Sequence, residues 1–330
     1  MPNWVGDVVM ATPALRGLRA VFPEAEITLG LKPYVAPLLE GWAPIDRLML
    51  LPAKGLARVT AMRREGFDLA VLLTNSFGSA IESRLAGIGR RLGYRGDGRA
   101  WLLTDRPRRP RDAAGGYRPT PMVRLYLDLV ATLGEVGDDE HYELPVSDPD
   151  EAHVRAWLEA QGWCEGQPLI GLNPGARFGA SKLWRADRFA AVGQALEERS
   201  GARCVVLAGP GEEPLRDAIS QAMGRPPLGA GAELLPLGPL KALIRRLALL
   251  VTTDSGPRAI AQAFDVPSVV VMGPTHPGWT DAQRAHSVIV RHDVPCGPCH
   301  LPRCPTDHAC MERITVSEVL QAVQGLSPRF

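Results

Sequence analysis

VTTDSGPRAIAQAFDVPSVVVMGPT, residues 251–275, holds one full turn of an alternating strand–helix pattern. TTDSG reads as the carboxyl end of a strand passing into a turn. RAIAQAFDV (258–266) reads as a helix, and PSVVVMGPT (267–275) as an apolar strand followed by another turn. A strand buried on both faces of a parallel sheet is apolar throughout, and a helix supplies its return connection. The alternation extends upstream. PLIGLNPG (168–175) is strand then turn, ADRFAAVGQALEERSG (186–201) is a helix closed by glycine, and ARCVVLAGPG (202–211) is strand then turn. A helix follows from about Glu213, and LKALIRRLALL (240–250) reads as a helix running into VTTDSG. TVSEVLQAVQGL (315–326) is a closing helix in which Thr315 and Glu318 have capping-box spacing.

The first half repeats the pattern more loosely. EITLGL (26–31), RLMLLPA (47–53) and DLAVLLTN (68–75) read as strands. LARVTAMRREGF (56–67), SAIESRLAGI (79–88) and PMVRLYLDLVATLG (121–134) read as helices, and RPRRPRDAAGG (106–116) as a basic loop. EVGDDEHYELPVSDPDE (135–151) is acidic and contains two prolines, so the domain boundary falls there, giving domains 1–147 and 148–330. Strand–helix alternation on both sides predicts two doubly wound α/β domains. The last helix, 315–326, is expected to pack back on the first domain.

The 330 residues are 45% hydrophobic and 22% charged, with formal net charge +1, which excludes a general nucleic-acid binder. No apolar run is long enough to span a bilayer, and the start has no signal-peptide pattern, so the expected location is cytoplasmic. The charge is uneven: eleven basic residues against three acids give net +8 between Arg84 and Arg124. Two readings stay open for that stretch, a solvated loop surface and a patch for an anionic partner such as a phosphorylated lipid or a membrane face.

In an open parallel sheet, ligands bind beyond the carboxyl ends of the strands. Here those ends carry LNPGARFGASKLW, LAGPGEE, TTDSGPR and MGPTHPGWT, all rich in small residues that let backbone N–H groups approach an anion. No turn matches GxGxxG or the Walker pattern, which argues against a dinucleotide dehydrogenase and a P-loop kinase. Lys182 can reach a diphosphate as a point charge. Glu212 can hold a ribose hydroxyl pair or act as a first-turn helix acid. Asp254, Ser255 and Gly256 can contact ligand or cap the following helix. At the other end of the chain, PNWVGDVVMATPAL sets Gly6 at a turn and Asp7 at the start of a helix, where Asp7 is either a cap or a site residue.

PNWVGDVVMATPAL, LLTNSFGSA, NPGARFGASKLW, TTDSGPR and MGPTHPGWT together resemble the ADP-heptose:lipopolysaccharide heptosyltransferases, glycosyltransferase family 9. PNWxGD, the NSF after a strand and the C-terminal cysteine cluster are most similar to the heptosyltransferase II branch. The resemblance runs from residue 2 to the last helix. It implies a GT-B fold, two Rossmann-like domains facing across a cleft, the first binding acceptor and the second ADP-sugar. It implies inverting transfer of heptose from ADP-heptose to the phosphorylated lipid A–core acceptor, the second heptose first among the choices. It also implies that no catalytic cofactor is needed and that the enzyme works peripherally at the cytoplasmic face of the inner membrane. Asp7 matches the catalytic base and Lys182 the group that meets the leaving ADP. The donor site takes Asn173, Gly175, Ala176, Ser181, Lys182, Glu212, Asp254, Ser255, Gly256, Pro274 and Thr275. The acceptor site takes Gly6, Asn75, Ser76, Arg84 and Arg118. A family 9 transferase of another nucleotide-sugar or acceptor, and a non-catalytic sugar-nucleotide binder, are the alternatives.

Two departures stand out. Family members carry a strand before the Gly-Asp turn, but only five residues precede Gly6, so the first strand is expected to be truncated and the coding start to lie upstream. Ala259 occupies a position where relatives often have histidine, and Arg258 is the expected substitute. In CGPCHLPRCPTDHAC, Cys296, Cys299, Cys304 and Cys310 lie within fifteen residues. That spacing suits either a structural zinc or a reduced, partly buried loop.

Overall fold

The computed structural model describes residues 1–280 and 285–326. The chain divides into two compact units. The first is Met1–Pro145 with a short piece from Gly278 onward. The second runs from Val146 to Pro277 and resumes after that piece.

In the first unit, helices α1 (Val5–Met10) and α2 (Thr12–Val21) split one apolar run at Ala11. Pro13 sits in the first turn of α2 and has no N–H to offer the preceding turn, so the Thr12 hydroxyl bonds the Val9 carbonyl at 2.8 Å instead. Strands β1 (Thr28–Leu31) and β2 (Arg47–Leu50) pair in parallel, Leu29 opposite Leu48. Helix α3 (Leu56–Glu65) leads to β3 (Leu69–Val71), and α4 (Phe77–Leu85) leads to β4 (Arg90–Leu92), which pairs in parallel with β3. Helix α5 (Met122–Val130) packs on α1 and α2 through a largely apolar face. Among the described residues these four strands form two separate pairs. Residues 1–4 are not a strand.

The second unit has one five-stranded parallel sheet in the order β6-β5-β7-β8-β9. Its elements are α6 (Asp148–Ala160), β5 (Leu169–Asn173), α7 (Ala186–Ser200), β6 (Arg203–Val206), α8 (Glu213–Ala222), α9 (Leu237–Arg245), β7 (Leu249–Thr253), α10 (Gly256–Ala263), β8 (Ser268–Val271), β9 (Ser287–Val290), α11 (Ala309–Glu312) and α12 (Val316–Gln324). Every residue of β5 to β8 is buried, as the continuous apolar runs require.

Three local readings need correction. The run 240–250 is not one helix: α9 stops at Arg245, and Leu249 and Leu250 begin the central strand β7, with Leu249 opposite Ile170. Leucines suit either element, and flanking strands decided the outcome. Helix α6 was not anticipated, because its first turn lay inside the acidic boundary segment; Ser147 caps it, accepting the Asp150 N–H at 3.2 Å. Helix α12, expected against the first domain, buries Val319 and Val323 in the core of the second unit and packs on α7, β8 and β9. Its predicted capping box is present, Thr315 Oγ1 accepting the Glu318 N–H at 3.3 Å.

Candidate active site

Three of the loops that leave the carboxyl ends of the second sheet are stitched together by side chains. Asn173, the last residue of β5, donates from its amide nitrogen to Thr252 Oγ1 and Ser255 Oγ, both at 2.8 Å. Thr253 donates to the Gly175 carbonyl at 2.6 Å. Lys182 Nζ donates to Asp254 at Oδ2 (2.6 Å) and at the backbone carbonyl (2.9 Å). Thr275 donates to the same Oδ2 at 2.9 Å, and Arg258 reaches Oδ1 at 3.1 Å. Burial alone would raise the Asp254 pKa, but the charges of Lys182 and Arg258 outweigh it and bring the carboxyl to about 2. Asp254 is therefore the charge that fixes two cations, not the cap of α10. Ser255 holds the N-cap position, but its side chain makes no capping bond either.

Glu212 lies where Gly175 leaves room for it. A Cβ at 175 would overlap the Glu212 carboxyl group, whose Oε2 accepts the Gly209 N–H at 2.8 Å. This glycine is needed for close approach. Gly179 is needed for conformation: its φ of +151° suits glycine alone, and a Cβ there would strike the Pro302 carbonyl. The loop carrying Ala176, Ser181 and Lys182 is held against the cysteine-rich segment. Ser181 donates from its N–H to the Pro302 carbonyl (3.1 Å) and from Oγ to the Leu301 carbonyl (2.5 Å), and His308 Nε2 meets the Ser181 carbonyl at 2.6 Å. His300 donates its N–H to the Pro274 carbonyl at 2.9 Å.

The structure thus gathers Asn173, Gly175, Ser181, Lys182, Glu212, Asp254, Ser255 and Thr275 around the carboxyl ends of β5 and β7. It alters the role of Arg258, expected to substitute for a histidine toward the donor phosphates. Arg258 is buried and faces Asp254. The expected zinc site at the cysteine cluster gains no support from the described residues. Cys310 is buried against Gly273 while Cys296 is exposed, and among the described residues no three His, Cys, Asp or Glu side chains form a metal-holding group. Burial, and then its three cysteine neighbours, push the Cys310 thiol upward.

The first unit has a cavity of about 450 Å³. Asp7, Asn75 and Ser76 all line it, with Trp4 and Tyr126. Asp7 is the third residue of α1, so it does not occupy the cap position, which falls on Trp4. Gly6 lies within the helix, not at a tight turn. Burial, and secondarily the Asp7 carboxylate, push the Tyr126 hydroxyl well above its ordinary value. Ser76 caps α4, accepting the Ser79 N–H at 3.1 Å. Arg84 and Arg118 do not line this cavity; both are exposed.

The reading of residues missed Arg99, which is fully buried. It donates to the Tyr94 carbonyl at 2.8 Å, the Thr74 carbonyl at 2.5 Å and Asn75 Oδ1 at 3.0 Å. It fixes the loop that presents Asn75. Among eleven basic residues in one stretch, no sequence signal separated it from the exposed ones.

A family model for glycosyltransferase family 9 (heptosyltransferase) matches residues 56–309, well over half of the chain. The chain is 31% identical over 336 residues to lipooligosaccharide heptosyltransferase 2 of Campylobacter jejuni serotype O:6, covering 99% of this chain and 98% of the relative. It is 28% identical over 310 residues to lipooligosaccharide heptosyltransferase 2 of Haemophilus ducreyi, covering 88% and 86%. The solved structure of the Escherichia coli ADP-heptose lps heptosyltransferase II superposes with a TM-score of 0.79 at 25% identity, covering 98% and 96%. The chain belongs to glycosyltransferase family 9, the heptosyltransferase family, and is a glycosyltransferase of the GT-B α/β fold.

Proposed function

We propose that the chain moves heptose from ADP-heptose to the phosphorylated lipid A–core acceptor, adding the second heptose with inversion at the anomeric carbon. The observation that carries this reading is the Lys182–Asp254–Arg258 charge system, joined to Asn173 and Ser255 at the sheet's carboxyl edge. It supplies fixed positive charge and oriented amides where a diphosphate binds in this class of sheet. The similarity to a solved ADP-heptose lps heptosyltransferase supports the choice of donor.

On this reading the second unit takes the ADP-sugar and the first takes the acceptor. The acceptor hydroxyl attacks the anomeric carbon while Asp7 takes its proton. The new carbon–oxygen bond forms as the bond to the β-phosphate oxygen breaks, and ADP leaves with both electrons. Lys182 has three N–H donors. Asp254 occupies two of them, so one remains to meet the growing phosphate charge. The amides at Ser255 and Gly256 act with it, and Asn173, Gly175, Ala176, Pro274 and Thr275 shape the wall. Glu212 holds the ribose hydroxyls. The step calls on no cofactor, since a carboxylate and a cation supply both functions.

Peripheral contact with an anionic membrane face belongs to the same proposal. Among the described residues no helix is long and apolar enough to cross a membrane. Phe77 and Trp101 are exposed with ring centroids 6.3 Å apart, and Arg106 from the basic loop bonds the Ala100 carbonyl beside them at 3.2 Å. An aromatic pair flanked by arginines suits a headgroup layer.

The test is ADP release with ADP-heptose and a heptosyl lipid A–core acceptor. Acceptor-dependent release, lost by about 10²–10⁴-fold in Asp7→Asn with the KM for ADP-heptose unchanged, supports transfer and the base together. Donor binding without release on any heptosylated acceptor would move the assignment to another family 9 reaction or to a binding protein.

A further inference from the structure

The side chains of Asp7, Lys32, Lys54, Arg58 and Glu82 are the charged ones in the lining of the first unit's cavity. Arg58 and Glu82 answer each other, Nη1 donating to Oε2 at 3.3 Å. That pair set aside, two lysines stand against the single carboxylate of Asp7. Among the described residues neither lysine has an ion-pair or hydrogen-bond partner for its ammonium. Both leave the carboxyl end of a parallel strand, where ligands of such sheets bind. Lys32 follows β1 directly, and Lys54 lies in the loop after β2. Asn75 and Ser76, from the loop after β3, line the same cavity.

The backbone under each lysine is fixed. Pro33 confines the residue before it to extended conformations, and Lys32 adopts φ −76° and ψ 145°. Its carbonyl accepts the Val35 N–H at 3.2 Å. The loop carrying Lys54 is clamped on both sides of that residue. Arg58 donates from Nε and Nη2 to the Pro52 carbonyl, at 3.1 and 2.7 Å. Glu82 Oε1 accepts the Gly55 N–H at 3.0 Å, with Gly55 at φ +102°. Glu82 is 7% exposed, so a buried acid of α4 is committed to holding this loop. Between the two clamped points stand Ala53 and Lys54 alone, and only Lys54 can offer a ligand charge. An ammonium is a compact point charge that meets carboxylate and phosphate oxygens alike.

We propose that Lys32 and Lys54 form a subsite for an anionic oxygen group of the acceptor, a carboxylate or a phosphate, and so orient the attacking hydroxyl toward Asp7. This rests on the reading of the first unit as the acceptor site. Glu82 is a positioning residue: it acts through the Gly55 N–H and Arg58, not on the acceptor.

The experiment measures acceptor binding in the presence of ADP, and steady-state ADP release, for the parent, Lys32→Met, Lys54→Met and Lys54→Arg. The acceptor is supplied intact, phosphatase-treated and carboxyl-methylated. Each Met variant is expected to raise the acceptor Kd and KM roughly tenfold with the KM for ADP-heptose unchanged, and Lys54→Arg to keep most of the affinity. The acceptor form lacking the recognised group should bind the parent as weakly as the Met variants bind the intact one, which identifies the group as carboxylate or phosphate. Glu82→Gln should raise the acceptor KM in the Lys54 protein but not further in the Lys54→Met protein, a coupling that a purely structural role would not give. Parent-like acceptor affinity in both Met variants would overturn the inference while leaving heptose transfer standing. A loss of equal size on all three acceptor forms would also overturn it, since the lysines would then meet no acceptor anion. A parent that binds no form of this acceptor would overturn the underlying reading and the subsite together.

Discussion

Asp254 shows how a single buried acid organises a site. With a 6% exposed side chain between Lys182 and Arg258, it remains ionised far below its ordinary value of 3.8, down to about 2. Because its pKa is depressed by folding, its stabilisation is present above about pH 4 and is lost as pH falls from there through 2. The amount is about 2 kcal/mol. A melting series is expected to be level down to about pH 4 and then to fall, and Lys182→Met should move the fall to higher pH by leaving the carboxylate with one cation. Gly175 gives a second expectation at this scale. Gly175→Ala forces a methyl onto the Glu212 carboxyl, at a cost of about 1–3 kcal/mol. The double variant Gly175→Ala, Glu212→Ala should melt close to the parent while keeping a raised KM for ADP-heptose, since only the volume conflict is relieved.

Among the elements, the loop from Ala176 to Lys182 depends on a distant partner. The segment around Leu301, Pro302 and His308 accepts or donates three of its hydrogen bonds. The cysteine-rich stretch therefore braces the loop that carries Lys182. Gly179→Ala should cost about 1–3 kcal/mol through backbone strain and should raise donor KM more than it lowers kcat. Calorimetry and steady-state kinetics on one preparation check both. Much at this scale was legible in the sequence. Helix α7 and the strands β5, β6 and β8 stand where their periodicity put them, because each is long or apolar enough to commit to one conformation. Strand β7 was not, since leucines before Val251 fit a helix equally well and only insertion between β5 and β8 selected the strand.

For the whole molecule, two expectations follow from charge and exposure. The lowered pKa of the Met1 amine means that between about pH 6 and its ordinary value of 8.0 the folded chain binds fewer protons than the unfolded one. Stability should therefore rise with pH across that window in protein that retains Met1, and N-terminal acetylation should flatten the slope. Flotation with vesicles tests the basic face. Phe77→Ser with Trp101→Ser should weaken binding to anionic vesicles by roughly tenfold and leave ADP release on a detergent-dispersed acceptor intact. Equal binding by parent and variant would remove this pair from the contact.

The sequence by itself determined the alternation of strand and helix, the small-residue turns at the strand ends and the family, because periodicity and motif spacing are local properties of the chain. It also singled out Asp7, Lys182 and Asp254 by residue type and position. What it could not determine was which charges meet. Arg258 turned inward to Asp254, and Arg99 was buried beneath Asn75 while Arg84 and Arg118 stayed exposed. Those outcomes depend on which segments pack against one another across scores of residues. Only tertiary structure sets the burial and the neighbours that decide the role of an ionisable side chain.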